Sequence, residues 1–215
     1  NRGSIHWKST FWDSRVSVDN GVIRSPAGDQ LPDELTTPLQ IQAMFPVTSR
    51  DEMRGSLDDI RSGNELAAID DSDFTAIWNA LMVRVLEFDE YRELFALAFP
   101  DVADQNLGFQ HAAIAIAAFE IEAFTMLDSP YDEYVRGERK ALSAKQKKGA
   151  ALFFGKANCA HCHSGPLLTD QKHYNLAVPQ FGPGKDPNSH LDMGRFLVTE
   201  QSEDTFGFRT PPLRN

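Results

Sequence analysis

Apolar and polar positions change period several times along this 215-residue chain, and each change predicts an element. Val16-Ser17-Val18-Asp19-Asn20-Gly21-Val22-Ile23 alternates around Asn-Gly, the pattern of a short β-hairpin closed by a tight turn. Ser25 to Pro38, with three prolines, reads as an ordered loop. A first helix is expected from about Leu39 to Phe45, stopped by Pro46, and Thr48 to Glu52 reads as the start of another. Asp71 to Phe99 is predicted helical. Phe74, Ile77, Trp78, Leu81 and Val85 recur on one face, and Phe95, Leu97 and Phe99 extend the apolar surface. A long helix is expected from about Leu107 to Leu127, with alanines at helical spacing and a lone, structural His111. Ser129 to Glu138 reads as a turn-rich linker, which places a domain cut between residues 1–135 and 136–215. Ser143-Ala144-Lys145-Gln146 is a capping box that opens a helix carrying Leu152, Phe153 and Phe154. From Gly165 to His190 helical periodicity is weak, as expected of chain that wraps a planar group.

That last helix runs into Cys159-Ala160-His161-Cys162-His163, the Cys-x-x-Cys-His attachment signature of a c-type haem. Two thiols three positions apart can each form a thioether with one haem vinyl group, and His163 then sits under the iron as proximal ligand. Its other ring N–H is expected to donate to a carbonyl, which fixes the ring and raises its basicity. Two other readings use the same residues. A redox dithiol would call for a βαβ context, whereas the preceding segment reads helical. A zinc site would draw on His161, His163 or His173, but the usual second Cys or His pair is absent. The motif uses both cysteines of the chain.

Composition narrows the class. Hydrophobic residues make up 41% and charged residues 24%, ordinary for a globular chain. The longest apolar run, Ala112 to Met126, is interrupted by Glu120 and Glu122 and is too short to span a bilayer. A formal net charge of −10 argues against nucleic acid. It suits a basic redox partner, and it is equally an ordinary route to solubility. Asn1-Arg2-Gly3-Ser4 does not open a signal peptide. Covalent haem attachment in bacteria occurs outside the cytoplasmic membrane, so the haem reading implies a periplasmic protein whose leader lies outside this sequence.

Several separated motifs then agree with one family. They are Phe11-Trp12-Asp13-Ser14-Arg15, Gln42-Ala43 with Pro46-Val47 and Glu52-Met53, and Phe154 through Cys159 and His163 to Pro166. Leu168-Thr169-Asp170, Asn175 to Pro179, Gly194-Arg195 with Val198-Thr199, and Phe208 to Asn215 follow in order. In these the chain resembles the bacterial dihaem cytochrome c peroxidases and their relative MauG, over nearly its whole length from residue 11. Ser14 replaces the glycine usual in the first motif. The resemblance implies a mainly α fold: a cytochrome c-like haem domain (136–215) plus a helical portion of a second cytochrome c-like domain (1–135), with the short β-hairpin. It also implies that the first haem motif, the distal ligand of the second haem and most ligands of an inter-domain Ca2+ lie outside this chain, which therefore reads as a fragment or one piece of a cleaved protein. Met193 and His190 are the nearest candidates for a sixth iron ligand, although neither matches the family position.

The residue roles are likewise what the resemblance implies. Trp12 matches the tryptophan between the two haems, where an indole shortens the tunnelling gap; an aromatic plug is the plainer role. Glu52 matches the acid/base carboxylate of the peroxidatic haem; on its own it is an early-turn glutamate favoured by the helix dipole. Gln42 and Pro46 match neighbours in that pocket. Arg195 and Arg214 are candidates to neutralise haem propionates, with surface or cap roles as the ordinary alternative. The function implied is reduction of hydrogen peroxide to water by a periplasmic dihaem peroxidase. Its electrons would come from a small cytochrome c or a cupredoxin, its cofactors would be haem c, a second haem c and Ca2+, and a homodimer is left open. The rivals are a MauG-like oxidase that modifies a partner protein and a monohaem electron carrier.

Overall fold

The computed structural model describes residues 7–181 and 190–214. The fold is mainly α with two very small sheets, as the sequence predicts. The expectations placed on residues 1–4, on 182–189 of the wrapping segment and on Asn215 lie outside the described residues. The chain packs as two compact units, one formed by residues 16–120 and the other by the described residues up to Arg15 together with Ile121 onward. The expected cut at 135/136 falls at the end of a helix inside the second of these.

In the unit of residues 16–120, strands β2 (Val16–Asp19) and β3 (Val22–Arg24) pair antiparallel with Asp19 opposite Val22. Asn20 and Gly21 both have positive φ (50° and 79°), as a two-residue turn matched to strand twist requires. Strand β1 (Ser9–Thr10) precedes them in the chain. Helix α1 (Pro38–Ala43) begins at a Thr37/Gln40 capping box with Pro38 in its first turn, and buries Leu39 and Ile41. Phe45, Phe74 and Trp78 cluster with centroids 5.7–6.2 Å apart, Phe74 stacked on Trp78 and Phe45 edge-on to both, and the Trp78 indole donates to the Met44 carbonyl at 2.8 Å.

The helix expected over 71–99 is two helices, α2 (Phe74–Leu86) and α3 (Asp89–Ala98). Phe88 is extended between them (φ −94°, ψ 119°), and the Arg92 guanidinium takes the orphaned carbonyl of Leu86. Neither Gly nor Pro marks this break. Leu97, expected on the apolar surface, is 80% exposed, while Met82, Phe95 and Leu107 form the buried cluster there. The long helix α4 runs Phe109–Phe124. His111 on it is buried, accepts from the Gly108 N–H at 3.0 Å and meets the Phe99 ring edge-on, a structural part.

Residues 50–54 depart from the expected helix start. Arg50–Arg54 is one turn of π-helix in which the Ser49 carbonyl accepts from the N–H groups of Glu52, Met53 and Arg54. Arg54 holds the turn down. Its side chain is fully buried, and it donates to the carbonyls of Leu66 (3.1 Å) and Ile69 and to the Asp71 carboxylate (2.8 Å). Gly55 closes the turn at φ 89°, where a Cβ would stand 2.7 Å from the Asp59 carboxylate.

The segment read as a linker, 129–138, contains helix α5 (Pro130–Val135). Its turn-forming residues are start signals: Ser129 and Asp132 make a capping box and Pro130 occupies the first turn. Helix α6 (Ala144–Phe154) opens at the expected Ser143/Gln146 box. Strands β4 (His173–Tyr174) and β5 (Phe208–Arg209) pair antiparallel, and a short helix α7 (Phe196–Thr199) lies between them in sequence.

Replacing Arg54 with Met keeps the apolar stem but removes the buried guanidinium from the Leu66 and Ile69 carbonyls and from Asp71, leaving those carbonyls the longer bonds from the Ile69 N–H (3.3 Å) and Arg50 Nη2 (3.4 Å). The expected loss is about 2–5 kcal/mol, read as a lowered urea midpoint.

Candidate functional site

The turn after α6 sets the geometry of the Cys-x-x-Cys-His motif. Asn158 takes a left-handed conformation (φ 56°), and one 3-10 turn, Cys159–His161, follows. The Cys159 carbonyl accepts from the N–H of Cys162 (3.3 Å) and of His163 (3.0 Å), which fixes the spacing of the two thiols and the imidazole. Both cysteines are free and half-buried. His163 Nδ1–H donates to the Leu168 carbonyl at 3.1 Å, leaving Nε2 as the ring nitrogen available to a metal. Leu168 has positive φ (52°), a conformation a leucine adopts only where its surroundings hold it.

Two further returns of the chain wall the motif in. The Asp170 N–H donates to the Cys162 carbonyl (2.8 Å), and Thr169 Oγ1 donates to the Thr210 carbonyl (2.6 Å). The result is a cavity of about 810 Å³ with a largely apolar lining. Cys159, Cys162 and His163 form one wall, Tyr174 and Leu176–Gln180 another, and Phe208 and Arg209 a third. That volume is in the upper part of the range for cofactor pockets, ~300–1,000 Å³. Tyr174 donates to Asp170 Oδ2 at 2.6 Å, and this bond pushes its phenol up to about 12 and keeps it protonated. Desolvation works against the Asp170 charge, but hydrogen bonds from Tyr174, the Lys172 N–H and Thr210 outweigh it and lower the carboxyl. The residues fit a covalent haem c: two thiols and one oriented imidazole face an apolar slot with Arg209 among its wall residues. The zinc set is not brought together, since His173 Nε2 lies 3.0 Å from Ser14 Oγ. Among the described residues no three His, Cys, Asp or Glu converge as a metal cage.

A sequence profile for the family described as di-haem cytochrome c peroxidase matches residues 3–140. The chain belongs to the di-haem cytochrome c peroxidase family. It is 40% identical over 130 residues to cytochrome c551 peroxidase of Pseudomonas aeruginosa, covering 59% of this chain and 35% of that protein. It is 28% identical over 177 residues to the methylamine utilization protein MauG of Methylorubrum extorquens, covering 82% and 41%. The crystal structure of a MauG-like protein associated with microbial copper homeostasis superposes with a TM-score of 0.57 at 26% identity, over 93% of this chain and 58% of the other. The chain thus spans well under half the length of these two curated relatives, and haem c is the cofactor that membership implies.

Set in this peroxidase-family frame, the candidate residues fall into two groups. Gln42, half-buried on α1, and Glu52, exposed on the π turn, belong to the unit of residues 16–120. Trp12, Cys159, Cys162, His163, Arg195 and Arg214 belong to the other unit. Trp12 is 39% exposed and sits in a loop pinned by two arginines. Arg209 donates through its N–H to the Trp12 carbonyl (2.7 Å) and through Nε to the Phe11 carbonyl (2.8 Å). Arg195 Nη1 donates to the carbonyls of Asp13 (2.9 Å) and Ser14 (3.0 Å). Arg15 lies 3.6 Å over the Phe11 ring and 4.9 Å from the Trp12 ring centroid, and pairs with the buried Asp13 at 2.9 Å. Arg195 is therefore a clamp on the Trp12 loop, and Arg214 donates to the Pro166 carbonyl and pairs with Asp132. Neither lines the cavity, and neither do Met193 and His190. Arg209 does line it. Arg209 lies within the Phe208-to-Asn215 motif without a role read from sequence, and the Leu168 carbonyl has no side-chain signal at all.

Ser14 explains its own departure from glycine. Its φ is 55°, the conformation that favours glycine, and its buried hydroxyl bonds Ser9 Oγ (2.8 Å) and faces His173 Nε2. Burial, aided by the positive charge of Arg195, holds the His173 imidazole below its ordinary pKa.

Two predictions follow from this loop. Ser14→Ala keeps the strained φ and loses the hydroxyl, so it should destabilise the protein by about 1–2 kcal/mol in thermal unfolding, whereas Ser14→Gly, relieved of the strain, should stay closer to the parent. The unfolded chain protonates His173 near pH 6.5 while the folded chain resists until lower pH. Its contribution is whole above 6.5 and falls as pH drops from there to the folded pKa. His173→Gln should flatten the stability–pH curve in that window, as followed by urea midpoints.

Proposed function

We propose that this chain carries the electron-entry side of a periplasmic dihaem peroxidase that reduces hydrogen peroxide to water. The observation that carries the reading is the His163–Leu168 contact. In a chain of this family, it orients the His163 imidazole into a cavity walled by both cysteines. Cys159 and Cys162 would hold the haem by thioethers, His163 Nε2 would ligate its iron, and Arg209 would offset propionate charge. Bound there, haem c supplies a one-electron couple buried in apolar surroundings.

Each peroxide consumed requires two electrons and two protons. Trp12 would offer an aromatic path for the electrons toward a second haem of the complete protein. Glu52 takes the proton from the near peroxide oxygen and gives one to the far oxygen, so that water leaves, and Gln42 lines that pocket. The acidic chain, at −10, favours a basic donor, a small cytochrome c or a cupredoxin, and assembly as a homodimer fits the same reading. A MauG-like oxidase acting on a partner protein is the second reading. It is favoured by the breadth of the MauG matches, 82% and 85% of the chain, against 59% for the cytochrome c551 peroxidase.

Two measurements test this. A pyridine haemochrome assay should find one c-type haem attached per chain, lost in Cys159→Ala/Cys162→Ala; a colourless parent overturns the reading. In the complete protein Glu52→Gln should keep its haem content and lose peroxide turnover by about 10²–10⁴-fold. Unchanged turnover removes Glu52 from the mechanism.

A further inference from the structure

The Trp12 indole has an anchor that the family motifs around it do not reveal. Its Nε1–H donates to Asp192 Oδ2 at 2.8 Å, across 180 residues of sequence and within one compact unit. Asp192 is itself held. Its other carboxylate oxygen accepts from the Gly194 N–H (2.8 Å), which fixes the side chain's rotation. Its backbone is clasped by the Gln180 amide: the Asp192 N–H donates to Gln180 Oε1 (2.6 Å), and Gln180 Nε2 donates to the Asp192 carbonyl (2.8 Å). Gln180 and the neighbouring Leu191 both line the cavity beside Cys159 and His163. A continuous set of hydrogen bonds therefore joins the cavity wall to the indole.

Gly194 makes the arrangement rigid. It stands at φ 61° with its ideal Cβ position only 2.5 Å from the Gly207 carbonyl, so no side chain fits, and the Arg195 N–H donates to that same carbonyl at 2.8 Å. The turn that presents Asp192 to Trp12 thus also presents Arg195 to the carbonyls of Asp13 and Ser14. One face of the loop is pinned by a cation and the indole edge by an anion.

We propose that Asp192 is the positioning residue of Trp12. Its carboxylate fixes the indole's orientation against the cavity wall, and its negative charge favours electron withdrawal from the ring. An N–H···carboxylate bond is roughly twice as strong as its neutral counterpart, and it strengthens as the indole gains positive character. One residue thus acts on both ring orientation and ease of oxidation, against the Arg15 guanidinium 4.9 Å from the centroid of the same ring. This rests on reading Trp12 as the electron relay, and the test separates the two ideas.

The experiment uses the complete haem-loaded protein, reduced and labelled with [¹⁵N-indole]tryptophan, as parent, Trp12→Phe, Asp192→Ala, Asp192→Asn and Asp192→Glu. Trp12→Phe assigns the Trp12 indole N–H resonance among those of the other tryptophans, this chain alone holding three. Asp192→Ala should move that resonance out of its hydrogen-bonded position, Asp192→Asn should move it less, and Asp192→Glu should restore it at least in part. Rapid-mixing spectroscopy then gives the rate of electron transfer between the two haems. Asp192→Asn, which keeps an acceptor without the charge, should slow it by about tenfold, with Asp192→Ala slower still. An unmoved resonance in Asp192→Ala overturns the anchor. A moved resonance with an unchanged rate, while Trp12→Phe slows transfer, overturns the part assigned to the charge. An unchanged rate in Trp12→Phe overturns the relay reading itself, whatever the indole resonance shows.

Discussion

The imidazole of His163 can serve as a fixed ligand only because a carbonyl five residues on is turned to meet it. Leu168 supplies that carbonyl from a left-handed conformation, and the cost of holding a leucine there is borne by the bonds around it. Asp170 reaches back to the Cys162 carbonyl, Thr169 to Thr210, and Thr210 to Lys172. Strands β4 and β5, two residues each, would be marginal by themselves, but these side-chain and backbone bonds close them over the motif. The attachment site is thus defined less by the five residues of its signature than by two later returns of the chain.

The Phe11–Arg15 loop illustrates the same economy of parts. Its carbonyls face Arg195 and Arg209, its indole faces Asp192, and Arg15 covers the two aromatic rings while pairing with Asp13. Each arginine here is engaged through planar geometry as well as charge, for which lysine is a poor substitute. The loop is exposed at Trp12 yet immobilised from three sides, the condition under which an aromatic edge can be both accessible to a neighbour and constant in orientation.

Much of this was legible in the residues. Asn20-Gly21 marked its hairpin, the Ser143/Gln146 box its helix, and Cys-x-x-Cys-His both the thiols and the expectation of a carbonyl for the second ring nitrogen. What escaped notice has physical reasons. The Phe88 break carries no Gly or Pro and is stabilised by an arginine four residues on, so periodicity ran straight through it. Ser129-Pro130 reads equally as turn or helix start until Asp132 is seen to complete the box. Arg195, Arg209 and Arg214 look alike in sequence, and only the strand pairing of Arg209 with His173 carries that one into the cavity wall. Asp192 is 180 residues from its indole, a distance that local pattern does not cross.

The π turn at Arg50–Arg54 bears on how this segment can change. Three consecutive N–H groups converge on the Ser49 carbonyl, so the turn holds one residue more than an α-helical turn would. Deletion of a single residue there would let the ladder close in ordinary register without unfolding it. The side chains beyond the deletion would then swing by about 100° around the axis, one residue's share of a helical turn. Glu52 and the buried Arg54 could not both keep their present directions. Losing the extra residue would thus carry a directional penalty, tolerable in backbone terms and restrictive in side-chain aim, and a relative shorter by one residue at this point would have its carboxylate facing elsewhere.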